Sequence, residues 1–322
     1  MTTLLKASDS EATSEALSVF RAGGLVAIPT ETVYGLAADA TNGEAVARIY
    51  EAKGRPSFNP LIVHCSNLEM AQHYGVFSAA DLKAAEHFWP GPLTLVVPYR
   101  QGSGLSDLVR AGLNSIALRI PNGASRSIIE AFKKPIAAPS ANLSGRVSPT
   151  TAHHVQSQLD GLIDLIIDDG PCDVGVESSI ISFDQDQAVL LRPGGLEVEL
   201  LQDVLGAKVQ SLAADSPISA PGQLASHYAP IGKLRLNASQ VSDEEGALNF
   251  GNSKLQAAHN HSLSDSGDLR EAAARLFACL AAFDEKRVQN IAVAPIPETG
   301  LGLAINDRLR RAAAPRPSNP IK

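Results

Sequence analysis

Leu25-Val26-Ala27-Ile28-Pro29-Thr30-Glu31-Thr32-Val33-Tyr34-Gly35-Leu36 is an apolar run that a proline stops and a polar turn continues. Four apolar residues between Gly24 and Pro29 read as a buried strand, because so short a run with turn residues on both flanks has no room for a helix. The hydroxyls of Thr30, Thr32 and Tyr34 then stand at the strand's C-terminal end, where open α/β sheets commonly place ligands. The same turn reads equally as a plain β-turn with Tyr34 packed in the core.

Upstream, Ser8 and Glu11 have capping-box spacing. Ala16, Leu17, Val19 and Phe20 follow, and Gly23-Gly24 stops the pattern, which predicts a helix over 9–22. Downstream, Val46, Ile49 and Tyr50 share one face of a helix predicted over 43–53 that ends at Gly54. Further strands are predicted at 61–64, 93–97, 116–120, 136–138, 162–167, 179–183 and 188–191, several closed by Pro or Gly. That is more strand than an alternating βα series supplies. The expected fold is α/β, a large twisted mixed sheet with flanking helices.

From 208 to 232 the periodic apolar residues thin out among Ser211, Ser216, Pro217, Ser219, Pro221 and Gly222, so this stretch reads as a linker. Beyond it, strands at 233–236, 247–250 and 291–294, an amphipathic helix over 268–286 and a last helix over 302–312 predict a small Rossmann-like α/β C-terminal domain. The division is 1–207, linker 208–232, and 233–322.

The 322 residues, 44% hydrophobic and 19% charged, suffice for two domains with real cores. No apolar h-region opens the chain and no stretch approaches a membrane span, so a soluble, cytoplasmic protein with no membrane contact is expected. Cys65, Cys172 and Cys279 are odd in number and far apart, which predicts buried thiols rather than disulfides or a zinc site. The net charge of −7 is concentrated in the first 207 residues and argues against broad nucleic-acid binding.

The chemistry-bearing residues recur beside bends. Lys53 can be explained by the helix dipole alone, but Arg55 runs into Pro56, Phe58, Asn59 and Pro60, a bend that would hold its guanidinium in place. In 137–145 a small-residue strand enters the polar turn Ser140-Ala141-Asn142, whose side chains can also serve only their own backbone. Ser148-Pro149 reads as an N-cap with Pro at N1, placing a helix N-terminus near that turn. Arg119 and Arg192 end strands before a Pro or Pro-Gly-Gly bend, where a guanidinium can grip a carboxylate or phosphate. Glu177-Ser178-Ser179 follows an acidic loop, to which no metal ligand is assigned. The P-loop, GxGxxG, HExxH and GxSxG signatures are missing.

Pro29 to Leu36, Lys53-Gly54-Arg55-Pro56 with Asn59-Pro60-Leu61 and His64, Trp89 to Thr94, Arg119-Ile120-Pro121, Ala138 to Gly145 and Leu191 to Gly194 together resemble the threonylcarbamoyl-AMP synthase family, the YrdC-domain proteins. The likeness spans about residues 12 to 205, and the linker and C-terminal unit resemble the family's long, two-domain form. The resemblance implies a nucleotidyltransferase that makes L-threonylcarbamoyladenylate and pyrophosphate from L-threonine, bicarbonate and ATP, with Mg²⁺ carried in on ATP. It also implies a downstream complex that modifies tRNA beside the anticodon, and raises a weak tRNA contact.

By that resemblance, Thr32, Tyr34, His64, Arg119, Ala138 and Ser178 line the threonine side. Arg55, Asn59, Ser115, Ser140, Asn142, Ser148, Arg192 and Tyr228 hold ATP, and Lys53 and Arg55 are the catalytic cations. Two departures stand out: Ser179 replaces a common threonine, and the linker lacks the basic residues often found before His227-Tyr228. The rival readings are an RNA-binding module of the same fold, which the acidic body disfavours, and a carbamoyl-transfer domain, which usually carries zinc-finger cysteines.

Overall fold

Alternation along the central strands decides where the cleft lies. In the computed structural model, residues 1–212, 220–223 and 226–315 are described. The first unit runs β1 (Thr3–Lys6), α1 (Ala12–Arg21), β2 (Val26–Ile28), β3 (Gly35–Asp39), α2 (Gly43–Lys53), β4 (Ile62–His64), α3 (Leu68–Tyr74), α4 (Ala79–Phe88), β5 (Leu93–Pro98), β6 (Ser115–Arg119) and α5 (Ala124–Phe132). It continues with β7 (Ile136–Ala137), α6 (Ala152–Leu159), β8 (Leu165–Asp168), β9 (Ser179–Asp184), β10 (Gln187–Arg192), α7 (Val198–Leu205) and β11 (Gln210–Ser211). These strands form one mixed eleven-stranded sheet, in the order β1-β8-β2-β3-β7-β4-β6-β5-β9-β10-β11.

Because side chains on a strand point alternately to its two faces, Val63, Leu95, Val97, Ile116, Leu118 and Ile181 enter the main core. Ile62, Val96, Ala117 and Ile180 form a separate cluster on the other face. His64 and Arg119 share that second face, and the parallel register of β4 on β6 sets Ile62 opposite Ala117 and His64 opposite Arg119. Two charged or titratable residues are thus placed side by side by strand pairing alone.

The second unit runs β12 (Lys233–Arg235), β13 (Glu245–Asn249), β14 (Asn260–Ser262), α8 (Leu269–Glu285), β15 (Asn290–Val293) and α9 (Gly302–Ala313). Its four strands, ordered β12-β15-β13-β14, are all parallel. The core of this unit is continuous with the first: Val33, Val147, Val176 and Tyr228 pack into the cluster built on Leu276, Phe277, Leu280 and Ile305. Among the described residues no helix is long and apolar enough to cross a membrane, and all three cysteines are free and buried.

Helix α2 keeps the boundaries its sequence predicts. The Asn42 side chain accepts from the Glu44 and Ala45 N–H groups, a cap worth about 1 kcal/mol, and Gly54 closes the helix in the left-handed region at φ 58°. Two predicted caps are not made. Glu11, rather than Ser8, stands at the α1 N-cap with no side-chain cap bond, because the Asp9 carboxylate takes the Lys6 N–H and holds residues 6–9 as a turn. Thr151, not Ser148, caps α6, since the Ser148 hydroxyl is committed to Glu177. The expected linker also contributes more than a tether: its residues Gln210–Ser211 pair in parallel with β10. Ser216, Pro217 and Ser219 lie outside the described residues.

Candidate active site

Five segments converge on the second face of the sheet. The cleft between them is about 540 Å³ including its mouth, lined among others by Arg55, His64, Arg119, Ser140, Ser178, Arg192 and Tyr228.

The polar turns that are almost ninety residues apart in sequence meet directly. The Lys53 ammonium donates to the carbonyl oxygens of Ser140 (2.6 Å) and Asn142 (2.5 Å), and the Lys53 carbonyl accepts from the Ser144 N–H at 2.8 Å. Burial, with Arg55 nearby, holds the ammonium well below its ordinary pKa. An ammonium has three donors; two are spent on this turn. Lys53 is therefore a clasp between α2 and the turn, and it does not line the cleft.

Arg55 does line it. The Pro56–Pro60 bend turns back on the guanidinium, which donates through Nε to the Asn59 carbonyl (3.2 Å) and through Nη2 to the Pro60 carbonyl (2.8 Å). Burial lowers its pKa to about 10, so the group stays charged at neutral pH. The Asn59 side chain is buried, and neither of its amide atoms has a partner among the described residues. Such an amide costs stability unless a ligand satisfies it.

On the opposite wall, Arg119 is buried and paired with Glu31 at 2.7 Å. It also donates through Nη1 to Thr32 Oγ1 (2.9 Å) and through Nε to the Gly91 carbonyl (3.2 Å). A guanidinium has five N–H donors, so one on Nη1 and one on Nη2 remain for a substrate. His64 is held neutral, its pKa lowered to about 3 by burial and by Arg119. Its Nδ1 lies 3.3 Å from the Ile62 carbonyl; a neutral ring donating from Nδ1 keeps Nε2 as an acceptor.

Arg192 closes the third side, donating through Nη2 to the Ser178 carbonyl (2.8 Å) and through Nη1 to the Pro221 carbonyl (3.2 Å). Ser178 Oγ shares a hydrogen bond with Thr94 Oγ1 at 2.7 Å. Pro221, Gly222, His227 and Tyr228 fold over the cleft as a strap. Only glycine fits at 222: a Cβ there would stand 2.5 Å from the Tyr228 hydroxyl and 2.8 Å from Arg192 Nη1, at φ 81°. Tyr228 itself adopts φ 62°, an uncommon conformation for a bulky residue and one that surrounding packing must hold.

Thr32 is buried beneath Arg119, and Ala138 lines the cleft with Ser140. Besides Lys53, four expected residues are placed elsewhere. The Tyr34 hydroxyl donates to the Gly170 carbonyl at 2.7 Å and accepts from the Asp169 N–H, so Tyr34 pins a loop behind the cleft instead of closing it. The Asn142 amide donates to the Leu143 and Arg146 carbonyls, within its own turn. Ser115 opens β6 opposite Pro98, outside the lining residues. Ser148 bears on the site only through its bond to Glu177.

Glu177, Glu31 and His227 were not expected to shape the site. Glu177 accepts from Ser148 Oγ (2.5 Å) and from the buried Arg308 Nε (2.7 Å). Burial opposes its ionisation, but Arg308 and Arg192 outweigh that and hold the carboxyl below the usual range. Its place beside an expected site residue, Ser178, was the one sequence signal; Arg308 lies 131 residues further on and carried none.

Two family models cover most of the chain. Residues 18–194 match the Sua5/YciO/YrdC model, described as telomere recombination, and residues 196–314 match the C-terminal domain of threonylcarbamoyl-AMP synthase. The chain is 40% identical to the threonylcarbamoyl-AMP synthase of Bacillus subtilis over 94% of its own length and 93% of the relative's. It is 34% identical to that of Schizosaccharomyces pombe, covering 90% and 85%. Its fold matches the crystal structure of Pyrococcus abyssi Sua5 complexed with L-threonine with a TM-score of 0.88, at 36% identity over 97% of both chains.

Proposed function

The chain belongs to the threonylcarbamoyl-AMP synthase family in its two-domain form, and from that premise we propose that it makes L-threonylcarbamoyladenylate and pyrophosphate from L-threonine, bicarbonate and ATP. It is an enzyme of the nucleotidyltransferase type, and the RNA-binding alternative is set aside. The observation that carries the reading is the meeting of the Lys53 and Ser140–Asn142 segments beside Arg55, with the Arg119–His64 pair on the facing wall.

In this reading the two free N–H groups of Arg119 take the threonine carboxylate, and His64 Nε2 accepts from the amino acid's ammonium or hydroxyl. Thr32, Ala138 and Ser178 complete that side. The threonine amine, once neutral, adds to the carbon of CO₂ and gives up a proton, or to that of bicarbonate with loss of water, to form a carbamate. A carbamate oxygen then attacks the α-phosphorus in line as pyrophosphate leaves. No protein nucleophile is needed. The chain's work is to hold both partners within reach and to meet the charge on the phosphates with fixed donors, an effect worth several kcal/mol in a site that excludes water. Arg55 and Arg192 face the phosphates, the orphaned Asn59 amide and Ser140 take the nucleotide, and Tyr228 covers it. Lys53 acts by holding the 140–142 turn.

Among the described residues no three His, Cys, Asp or Glu side chains converge. The carboxylates at the cleft, Glu31 and Glu177, are each committed to an arginine. These donors do not fit a resident divalent cation, and Mg²⁺ enters this reading only as ATP's counter-ion. The same reading divides the chain into a catalytic unit (1–207), a linker (208–232) and a C-terminal unit (233–322). It places the protein in the cytoplasm, upstream of an enzyme that transfers the threonylcarbamoyl group to tRNA.

Mass spectrometry of products from ATP, bicarbonate and a panel of amino acids tests the proposal. The expected result is a threonylcarbamoyl adenylate that requires threonine and bicarbonate. Pyrophosphate release indifferent to the amino acid would overturn it.

A further inference from the structure

We propose that Arg308, from the last helix of the C-terminal unit, is a positioning residue for the nucleotide side of the cleft, holding Glu177 and the strap residue Tyr228 in one fixed arrangement. This inference rests on the synthase reading above and assigns the C-terminal unit a part in it.

Arg308 is fully buried. Its Nε donates to Glu177 Oε2 at 2.7 Å and its Nη1 to the neighbouring Asp307 at 2.6 Å. Its Cζ stands 4.9 Å from the centre of the Tyr228 ring, within cation–π range. One guanidinium thus touches both the base of the cleft and the strap above it. Glu177 passes the constraint on, accepting from Ser148, while the adjacent Ser178 carbonyl is held by Arg192. The Arg311 carbonyl, one turn along α9, accepts from the His227 N–H at 3.2 Å, so α9 grips the strap at two successive residues.

A second contact supports the same assignment independently. Gly175, two residues before Glu177, lies so close to α8 that a Cβ there would stand 2.3 Å from Ala274 Cα. The segment carrying Glu177 and Ser178 is therefore seated against both helices of the C-terminal unit. The threonine wall is held differently: Arg119 bonds to Thr32, Glu31 and Gly91, His64 to Ile62, and Ser178, its one residue on this segment, is fixed through its own atoms by Thr94 and Arg192. A purely structural ion pair would weaken both halves of the cleft together when broken. A positioning residue weakens one.

The full-length chain is assayed with Arg308→Met and Arg308→Lys, with folding followed by circular dichroism. Misplacing reacting groups by about 1 Å can cost on the order of a hundredfold, so Arg308→Met should lower kcat/KM for ATP between about tenfold and a hundredfold. Threonine affinity measured by calorimetry without ATP should stay within about twofold of wild type on the same argument, since the loss is one of placement on the other wall. Arg308→Lys, which keeps the charge, should recover part of the loss. Unchanged kcat/KM for ATP overturns the proposal, and so does an equal loss of threonine affinity. If Arg308→Met does not fold, Arg308→Lys is judged by the same two measurements. A wild-type chain that releases no pyrophosphate with threonine present would instead sink the synthase reading itself.

Discussion

Two arginines that face each other across the cleft are expected to fail differently when removed. Arg119 has two N–H groups left after serving Thr32, Glu31 and Gly91, and charged hydrogen bonds contribute about 1.5–3 kcal/mol each. Arg119→Ala should therefore lower threonine affinity by on the order of a hundredfold or more in calorimetry. Arg55→Ala should leave threonine binding intact and remove adenylate formation, read as pyrophosphate release; near-wild-type release would refute the assignment of Arg55. Both arginines were legible in the sequence, because each stands beside a proline bend that has no other evident use for a guanidinium. Glu31 as the Arg119 partner was not, since an acid in a turn looks the same whether solvated or paired. Tyr34 and Asn142 carried the right residue types, but the Tyr34 hydroxyl is spent on the distant Asp169–Gly170 backbone and the Asn142 amide nitrogen on its own turn, and no sequence pattern distinguishes a hydroxyl aimed at a ligand from one aimed at a loop.

Helix α2 could be read to its ends because its signals are local: an Asn cap, an apolar stripe and a C-terminal glycine within a dozen residues. Strand β3, Gly-Leu-Ala-Ala-Asp, was not foreseen. It is buried throughout, lacks alternation, and becomes a strand by pairing antiparallel with β2 and β7; neighbours impose such structure where propensity does not. The loop before Ser178 has a sharper requirement. At φ 75°, with a Cβ due 2.3 Å from Ala274 Cα and 2.4 Å from the Ala273 carbonyl oxygen, Gly175→Ala must push α8 away. Overpacking of this kind costs about 1–3 kcal/mol, and left-handed backbone adds to it. The expected outcome is a lower urea midpoint together with reduced turnover; a variant as stable as wild type would show that the two units can part at this point without cost.

Across the whole molecule, burial of neutral histidines sets a response to acid. His64 and His227 are each lowered to about 3, first by burial and then by neighbouring arginines, against about 6.5 in an unfolded chain. Between those values the unfolded state binds more protons, so stability is fully present above about pH 6.5 and falls as pH drops toward 3. Near pH 5 unfolding should take up about two protons on this account. The pH dependence of the urea midpoint checks this: the double variant His64→Gln, His227→Gln should show a shallower slope than wild type from pH 6.5 to 4.5. The large mixed sheet was readable from its many short apolar runs, and the small parallel unit from its alternation of strand and helix. What joins them was not: α9 meets Glu177 and Tyr228 through contacts more than seventy residues apart in sequence, and nothing local marks Arg308 as different from its neighbours Arg310, which bonds to Glu298, and Arg311, which shares Asp307 with it.

Helix α9 lies C-terminal to every other described element, and so leaves the ribosome after them. Domains generally fold as they emerge, N-terminal first; the large sheet, with the Lys53 clasp and the Arg119–His64 pair already made, is complete well before α9 is synthesised. A nascent chain on this scheme holds the threonine wall and Arg55, Asn59, Ser140 and Arg192 early, and has Glu177 and the Tyr228 strap fixed only when α9 docks. Full competence to consume ATP is thereby deferred until the C-terminal unit has been made and has docked.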